Sequence, residues 1–169
     1  MKFLILLTLL ISNLSANEII HLKNIVIHKE PKTYNNIIFL DKTDQKTTLN
    51  DFNKNLIILN FWATWCEPCK EELPSLDRLQ INPKLNNLKV LPINIAQENQ
   101  EAVDNFFKNL NVKNLTSYFD PNTSLAKEFS LRGIPTSVLF NKEGKEFARI
   151  IGSINFDDEK FINWLSNYN

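Results

Sequence analysis

Leu56-Ile57-Ile58-Leu59-Asn60-Phe61 leads without a break into Trp62-Ala63-Thr64-Trp65-Cys66-Glu67-Pro68-Cys69 and then into Lys70-Glu71-Glu72-Leu73-Pro74. The first six residues form a near-continuous apolar run of strand length. Such a run suits a strand covered on both faces, as in a parallel sheet with helices on either side. Leu73, Leu76 and Leu79 then recur along one side of a helix predicted over residues 70–81. Pro74 lacks an amide hydrogen and crowds the carbonyl of Lys70, which predicts a kink there. A C-x-x-C placed at a strand-to-helix junction says more than the spacing alone. Orphan amides and the helix dipole at a helix N-terminus favour negative charge. A thiolate there is stabilised, its pKa falling from about 8.5 into the range of about 3.5–7.5. Cys66 is expected to be the exposed nucleophile, and Cys69, one turn inward, the resolving thiol. Pro68 fixes the backbone between them and suits a first helical turn. Glu67 puts a negative charge beside the thiolate and opposes its formation a little.

Cys66 and Cys69 are the only cysteines among 169 residues. A bridge closing so short a loop removes little unfolded-chain entropy, so the pair is better placed for redox or metal chemistry. A zinc site would need four ligands, and His21 and His28 are the only histidines available to join the thiolates. Soft thiolates would also suit Cu(I), which keeps a metal-carrying role open. An inert structural disulfide is the third reading. It leaves the strand-to-helix placement without a reason.

Met1-Lys2 is followed by the apolar run Phe3-Leu4-Ile5-Leu6-Leu7-Thr8-Leu9-Leu10-Ile11 and by Ser12-Asn13-Leu14-Ser15-Ala16. Residues 1–16 therefore read as a secretory signal peptide, shorter in its apolar part than the roughly 20 residues of a membrane span. Ala16 fits the last residue before cleavage. Leu14 is larger than the small residue preferred there, so an uncleaved anchor is the alternative. Either way the expected location is periplasmic or otherwise extracytoplasmic, free or anchored to the inner membrane. Lys plus Arg and Asp plus Glu both number 19. With no basic stripe, the chain lacks the electrostatic footprint of nucleic-acid binding. It shows no internal repeat and no oligomer signal, so a monomer is expected.

Residues 17–36 read as an N-terminal extension and 37–169 as the domain. In the extension, Ile25-Val26-Ile27 is a candidate short strand, broken by Pro31 and Asn35-Asn36. Ile37-Ile38-Phe39-Leu40 and Thr47-Thr48-Leu49 read as a hairpin laid over the start of the domain. Leu88-Lys89-Val90-Leu91-Pro92-Ile93-Asn94-Ile95 is the next strand, with Pro92 awkward inside it. Residues 98–110 form an amphipathic helix with Ala102, Val103, Phe106, Phe107 and Leu110 on one face. A short helix over 122–129, strands over 136–140 and 146–151, and a closing helix over 156–167 complete an α/β sandwich.

The segment from Asn60 to Pro74 resembles the active-site segment of thioredoxin-like proteins of the TlpA/ResA type, which are exported thiol-disulfide reductases facing the membrane. The resemblance covers residues 30–168, and Arg132-Gly133-Ile134-Pro135-Thr136 is similar to that family's cis-proline segment. It implies a thioredoxin-like fold, a central mixed sheet flanked by helices with an N-terminal β-hairpin extension. It also implies a cis Ile134–Pro135 bond packed against the cysteines, the isomer that X–Pro bonds tolerate. Without the resemblance, a trans proline starting the next strand would be the reading. Pro74 matches the family's kink proline, and Trp62 and Trp65 its aromatic positions. Trp62 is expected in the core and Trp65 at the surface, where it would contact partners. Thioredoxins carry a buried aspartate on the strand before the cysteines, where this chain has Asn60. The TlpA/ResA type instead has a glutamate after the second cysteine, which Glu72 matches. The resemblance implies that Glu72 is partly desolvated, has a raised pKa and tunes the dithiol; the alternative is a solvated residue like Glu71. No bound cofactor is required, because the cysteines carry the electrons. The partners implied are a disulfide-containing substrate protein and a membrane thiol electron donor. Family substrates include haem-binding cysteines of apocytochrome c and copper-site cysteines. The reverse reaction, disulfide formation, uses the same motif. A peroxidase on the same fold would need a peroxide-binding environment that the sequence does not display.

Overall fold

The apolar run from Leu56 becomes the central strand of a sheet, and a computed structural model describing residues 24–169 shows what covers each of its sides. The strands are β1 (Ile25–Lys32), β2 (Ile38–Leu40), β3 (Lys46–Thr48), β4 (Leu56–Trp62), β5 (Leu88–Asn94), β6 (Tyr118–Phe119), β7 (Thr136–Phe140) and β8 (Glu146–Ile151). They form one sheet in the order β1-β8-β7-β4-β5-β6-β2-β3. β5 runs parallel to β4 and β7 antiparallel to it, so the sheet is mixed. Every residue of β4 is buried. Leu56, Ile58 and Trp62 enter one apolar cluster, and Ile57, Leu59 and Phe61 the other. That is the two-residue alternation of a strand with a core on both faces.

The first face is packed by Leu73, Leu76 and Leu79 of α1 (Glu67–Gln80), Val103 and Phe107 of α2 (Gln100–Asn109), and Phe161 and Leu165 of α4 (Glu159–Ser166). Leu125 of α3 (Ser124–Glu128) and the following Phe129 pack the second face with Ile37 and Phe39. The α/β sandwich expected from the sequence is present, with helices on both sides. Among the described residues, no helix is long and apolar enough to cross a membrane. The segment read as a signal peptide, and His21, lie outside the described residues.

Four local expectations change. β1 continues through Pro31 instead of breaking there. It is an edge strand paired only to β8, and its register shifts between Ile27 and Lys32, the setting in which a proline without an N–H is tolerated. The β2–β3 hairpin is not laid over the domain but extends the sheet at the opposite edge, next to β6. Strand β6, two residues long, had no periodicity to reveal it. Ala102 is exposed, and only Val103 and Phe107 of α2 are fully buried.

Pro92 is accommodated for a readable reason. The Ile95 amide donates to the Trp62 carbonyl at 3.1 Å, so odd-numbered residues of β5 point their backbone groups at β4. Pro92 points the other way, where pairing with β6 begins only at Ile93. The groups before it on that side are covered by one side chain. Gln80 accepts from the Val90 amide at 2.7 Å and donates to the Leu88 carbonyl at 3.2 Å. The end of α1 thus protects the open side of the neighbouring strand.

Candidate active site

β4 ends at Trp62, residues 63–65 turn, and Cys66 is the N-cap of α1. The helix starts at Glu67, three residues earlier than the periodicity placed it, and continues past Pro74. Its first turn has no side-chain cap, so the positive end of the dipole lies at Cys66. Cys66 and Cys69 are joined in a disulfide, with Cα atoms 5.3 Å apart. Cys66 is 4% exposed and Cys69 is fully buried. The exposed Cys66 expected from the sequence is not what this oxidised form presents: both cysteines are buried. The Cys66 sulfur is bonded inward to Cys69, within an apolar cluster that includes Trp62, Ala63 and Leu73.

The residues around the pair divide into an exposed rim and a buried underside. Trp65 is 68% exposed, whereas Trp62 is fully buried and stacks on Phe106 and Phe107, each centroid 5.2 Å away. Glu67 is exposed and lies 2.7 Å from Lys70, so its charge is partly answered at the surface. Pro68 occupies the first turn. The Ile134–Pro135 bond is cis. Thr136, the next residue, stands opposite Phe61 in the antiparallel pairing of β7 with β4. Pro135 is therefore level with the end of β4, where the cysteine loop begins. Ile134 packs against the cluster that holds both cysteines. The Thr136 hydroxyl donates to the Gly133 carbonyl at 2.8 Å, and the Gly152 amide to the Pro135 carbonyl at 2.9 Å.

Glu72 lies beneath, 2% exposed, while Glu71 beside it is exposed. Three residues after Cys69, it shares that residue's side of α1. Asn60 of β4 donates through Nδ2 to Glu72 Oε1 at 2.7 Å and to Ser137 Oγ at 3.0 Å. Burial pushes the Glu72 carboxyl up to about 8, against partial opposition from the Asn60 hydrogen bond and weaker contacts with the Ile154 amide and the Ser153 side chain. The asparagine that replaces the thioredoxin aspartate is thus in direct contact with the glutamate that follows the second cysteine.

One neighbour was missed. Glu98, read only as the start of a helix, grips the cysteine loop: it accepts from the Thr64 hydroxyl, from the Thr64 amide at 3.4 Å and from Asn94 Nδ2 at 2.6 Å. Its position just beyond the carboxyl end of a parallel strand was the available signal, since ligand and catalytic groups gather there in α/β sheets.

His28 does not join the thiolates. Its Nε2 lies 2.7 Å from the buried Glu146 Oε1, in a partly buried cluster with Tyr34 and Arg149. Burial alone would raise the Glu146 carboxyl, but hydrogen bonds from Arg149, Tyr34 and His28 outweigh it and hold the group below its ordinary range. β8 and β7 separate β1 from β4, and three strand spacings amount to about 14 Å.

The sequence matches the Redoxin family over residues 29–161. Thiol-disulfide oxidoreductase ResA of Bacillus cereus is 33% identical over 117 residues, covering 69% of this chain and 66% of that relative. Sporulation thiol-disulfide oxidoreductase A of Bacillus subtilis is 32% identical over 126 residues, covering 73% and 76%. The chain thus spans slightly under two thirds of the ResA relative's length. Among solved structures, StoA from Bacillus subtilis superposes with a TM-score of 0.64 at 26% identity, covering 79% of this chain and 98% of that one. A secreted thiol-disulfide isomerase from Corynebacterium glutamicum gives a TM-score of 0.72 at 20% identity, covering 87% and 94%, a likeness of fold alone.

Proposed function

We propose, from the premise that this chain belongs to the Redoxin family and has its thioredoxin-like fold, that it is a thiol-disulfide oxidoreductase acting on disulfides of partner proteins through Cys66 and Cys69. The observation that carries this reading is the Cys66–Cys69 disulfide at the N-terminus of α1, level with the cis Ile134–Pro135 bond. In the reduced protein, the Cys66 thiolate attacks one sulfur of a partner disulfide. A mixed disulfide forms and one partner thiolate leaves. Cys69 then attacks Cys66, the second partner thiol is released, and the Cys66–Cys69 bond closes. Two electrons pass from the dithiol to the partner, and a second dithiol, a membrane donor, restores them.

The direction is reduction, and the site of action is extracytoplasmic. The family resemblance supports the direction, since the motif itself serves either one, and the leader-like residues 1–16 support the location. The finer substrate reading is cysteine pairs of haem- or copper-binding proteins awaiting their cofactor, which the family resemblance supports. Proline at 135 supplies no amide, and with the Gly133 and Pro135 carbonyls already accepting from Thr136 and Gly152, the Ile134 backbone is where an extended substrate strand would pair. Trp65 offers a large apolar contact to the same partner.

Reduced protein mixed with a disulfide-bonded protein and, separately, with a small aromatic disulfide tests this reading. Exchange with both is expected. Trp65→Ala should leave folding stability within about 0.5 kcal/mol, as an exposed site allows. It should slow exchange with the protein disulfide roughly tenfold, the loss of one interface contact of about 1.4 kcal/mol, and spare the small disulfide. No exchange with either would refute the function. Equal slowing of both by Trp65→Ala would remove the docking role of Trp65.

A further inference from the structure

Asn60 serves two buried groups with one amide nitrogen. Its Nδ2 donates to Glu72 Oε1 at 2.7 Å and to Ser137 Oγ at 3.0 Å. Asn60 is 0% exposed, and Glu72 and Ser137 are 2% exposed each. An amide NH2 has two hydrogens, and both are used. Glu72 Oε2 and Asn60 Oδ1 are buried with no hydrogen-bond partner. The three residues tie together β4, α1 and β7, and β7 starts immediately after the cis proline. The other groups acting on Glu72 are the Ile154 amide and the Ser153 side chain from the segment after β8, and no charged side chain is among them. On its own helix, Cys69 lies one turn earlier and is uncharged while the disulfide is closed.

Resting on the reading of Cys66 and Cys69 as an exchanging dithiol, we propose that Asn60 is the positioning residue that lets the buried Glu72 carboxyl exchange a proton with that dithiol. One N–H holds Oε1, the bond to Ser137 fixes the plane of the amide, and Oε2 is left as the free acceptor. Burial alone would lock the carboxyl in its neutral form, and a donated hydrogen bond favours the ionised one. When the mixed disulfide is resolved, the Cys69 thiol gives its proton to Oε2. The resulting thiolate attacks Cys66, the bond from Cys66 to the partner sulfur breaks, and the partner leaves as a thiolate. The Cys66–Cys69 bond forms, and Glu72 ends protonated. Re-reduction returns the proton to Cys69.

The test compares wild type, Glu72→Gln, Asn60→Leu and Ser137→Ala. For each, the infrared carbonyl band of a neutral carboxyl is followed against pH in the oxidised protein, and thiol alkylation rate against pH in the reduced protein. The wild type should show an inflection that Glu72→Gln lacks. Asn60→Leu should move it upward by about one to two pH units, a ten- to hundredfold loss of acidity for one hydrogen bond to a charged group. Ser137→Ala, which leaves the amide free to turn, should move it by a smaller step in the same direction. If Asn60→Leu does not fold, Ser137→Ala carries the test, and no upward step there overturns the proposal. An inflection specific to Glu72 that stays in place in Asn60→Leu overturns the role of Asn60 alone. An inflection retained in Glu72→Gln removes the Glu72 reading, and this proposal with it, while leaving the dithiol chemistry standing.

Discussion

Cys69→Ser protein, reduced and mixed with a disulfide-bonded partner, is expected to stop at the mixed disulfide and accumulate as a covalent complex through Cys66. Multiple turnover should fall by at least roughly a thousandfold, the scale seen when a nucleophile in a cooperating group is removed. Cys66→Ser should lose as much turnover but trap nothing. The asymmetry comes from placement. Cys66 is the N-cap of α1, where the dipole stabilises a thiolate, and it retains some exposure, whereas Cys69 is fully buried. Loss of structure does not account for the same result. A bridge between residues three apart contributes about 2 kcal/mol by chain entropy, less than the roughly 5–15 kcal/mol of an ordinary domain. Non-reducing gel electrophoresis and mass measurement of the complex check it. Equal trapping by the two variants would reverse or erase the assigned roles.

Glu72→Gln is expected to remove a large pH dependence of stability. Burial raises the Glu72 carboxyl from 4.5 to about 8 in the folded protein. A group with a raised folded-state pKa gives its full stability below the unfolded value and loses it as pH rises through the folded one. The wild type should therefore become less stable from about pH 4.5 to about pH 8, by on the order of 3–5 kcal/mol at roughly 1.4 kcal/mol per unit. The glutamine variant keeps the shape and the Asn60 contact without the charge. It should be the more stable of the two at pH 8 and close to wild type at pH 4.5. Urea unfolding of both proteins in oxidised form across this window gives the difference directly, and Glu146, common to both, cancels. Parallel pH curves would mean that Glu72 is solvated after all.

The central strand, α1, β7 and β8 were legible because long apolar runs and strong periodicity dominate locally. The cysteine pair was legible because its position, strand before and helix after, carries the chemistry. The misreadings share a cause, which is that tertiary placement overrode a local rule. Pro31 breaks a central strand but not an edge strand with a shifted register. The strand read through Pro92 is present, and the proline is harmless there because its missing N–H points where β6 has not yet begun. The two residues of β6 become a strand only through β5 and β2 beside them. In the site, Glu72 and Glu71 are indistinguishable by type. Only the rotation of α1 sends one inward and the other to solvent. The hold of Glu98 on Thr64 joins residues 34 apart in sequence, a distance at which no periodicity speaks.

The reduction potential of the Cys66–Cys69 pair tests the central claim most directly. Equilibration with defined thiol buffers, followed by quantification of free thiols, measures it. A reductant working outside the cytoplasm should lie at or below about −270 mV, the thioredoxin marker. A value near about −120 mV, that of a strong disulfide-forming oxidant, would contradict the account and reverse the direction of electron flow.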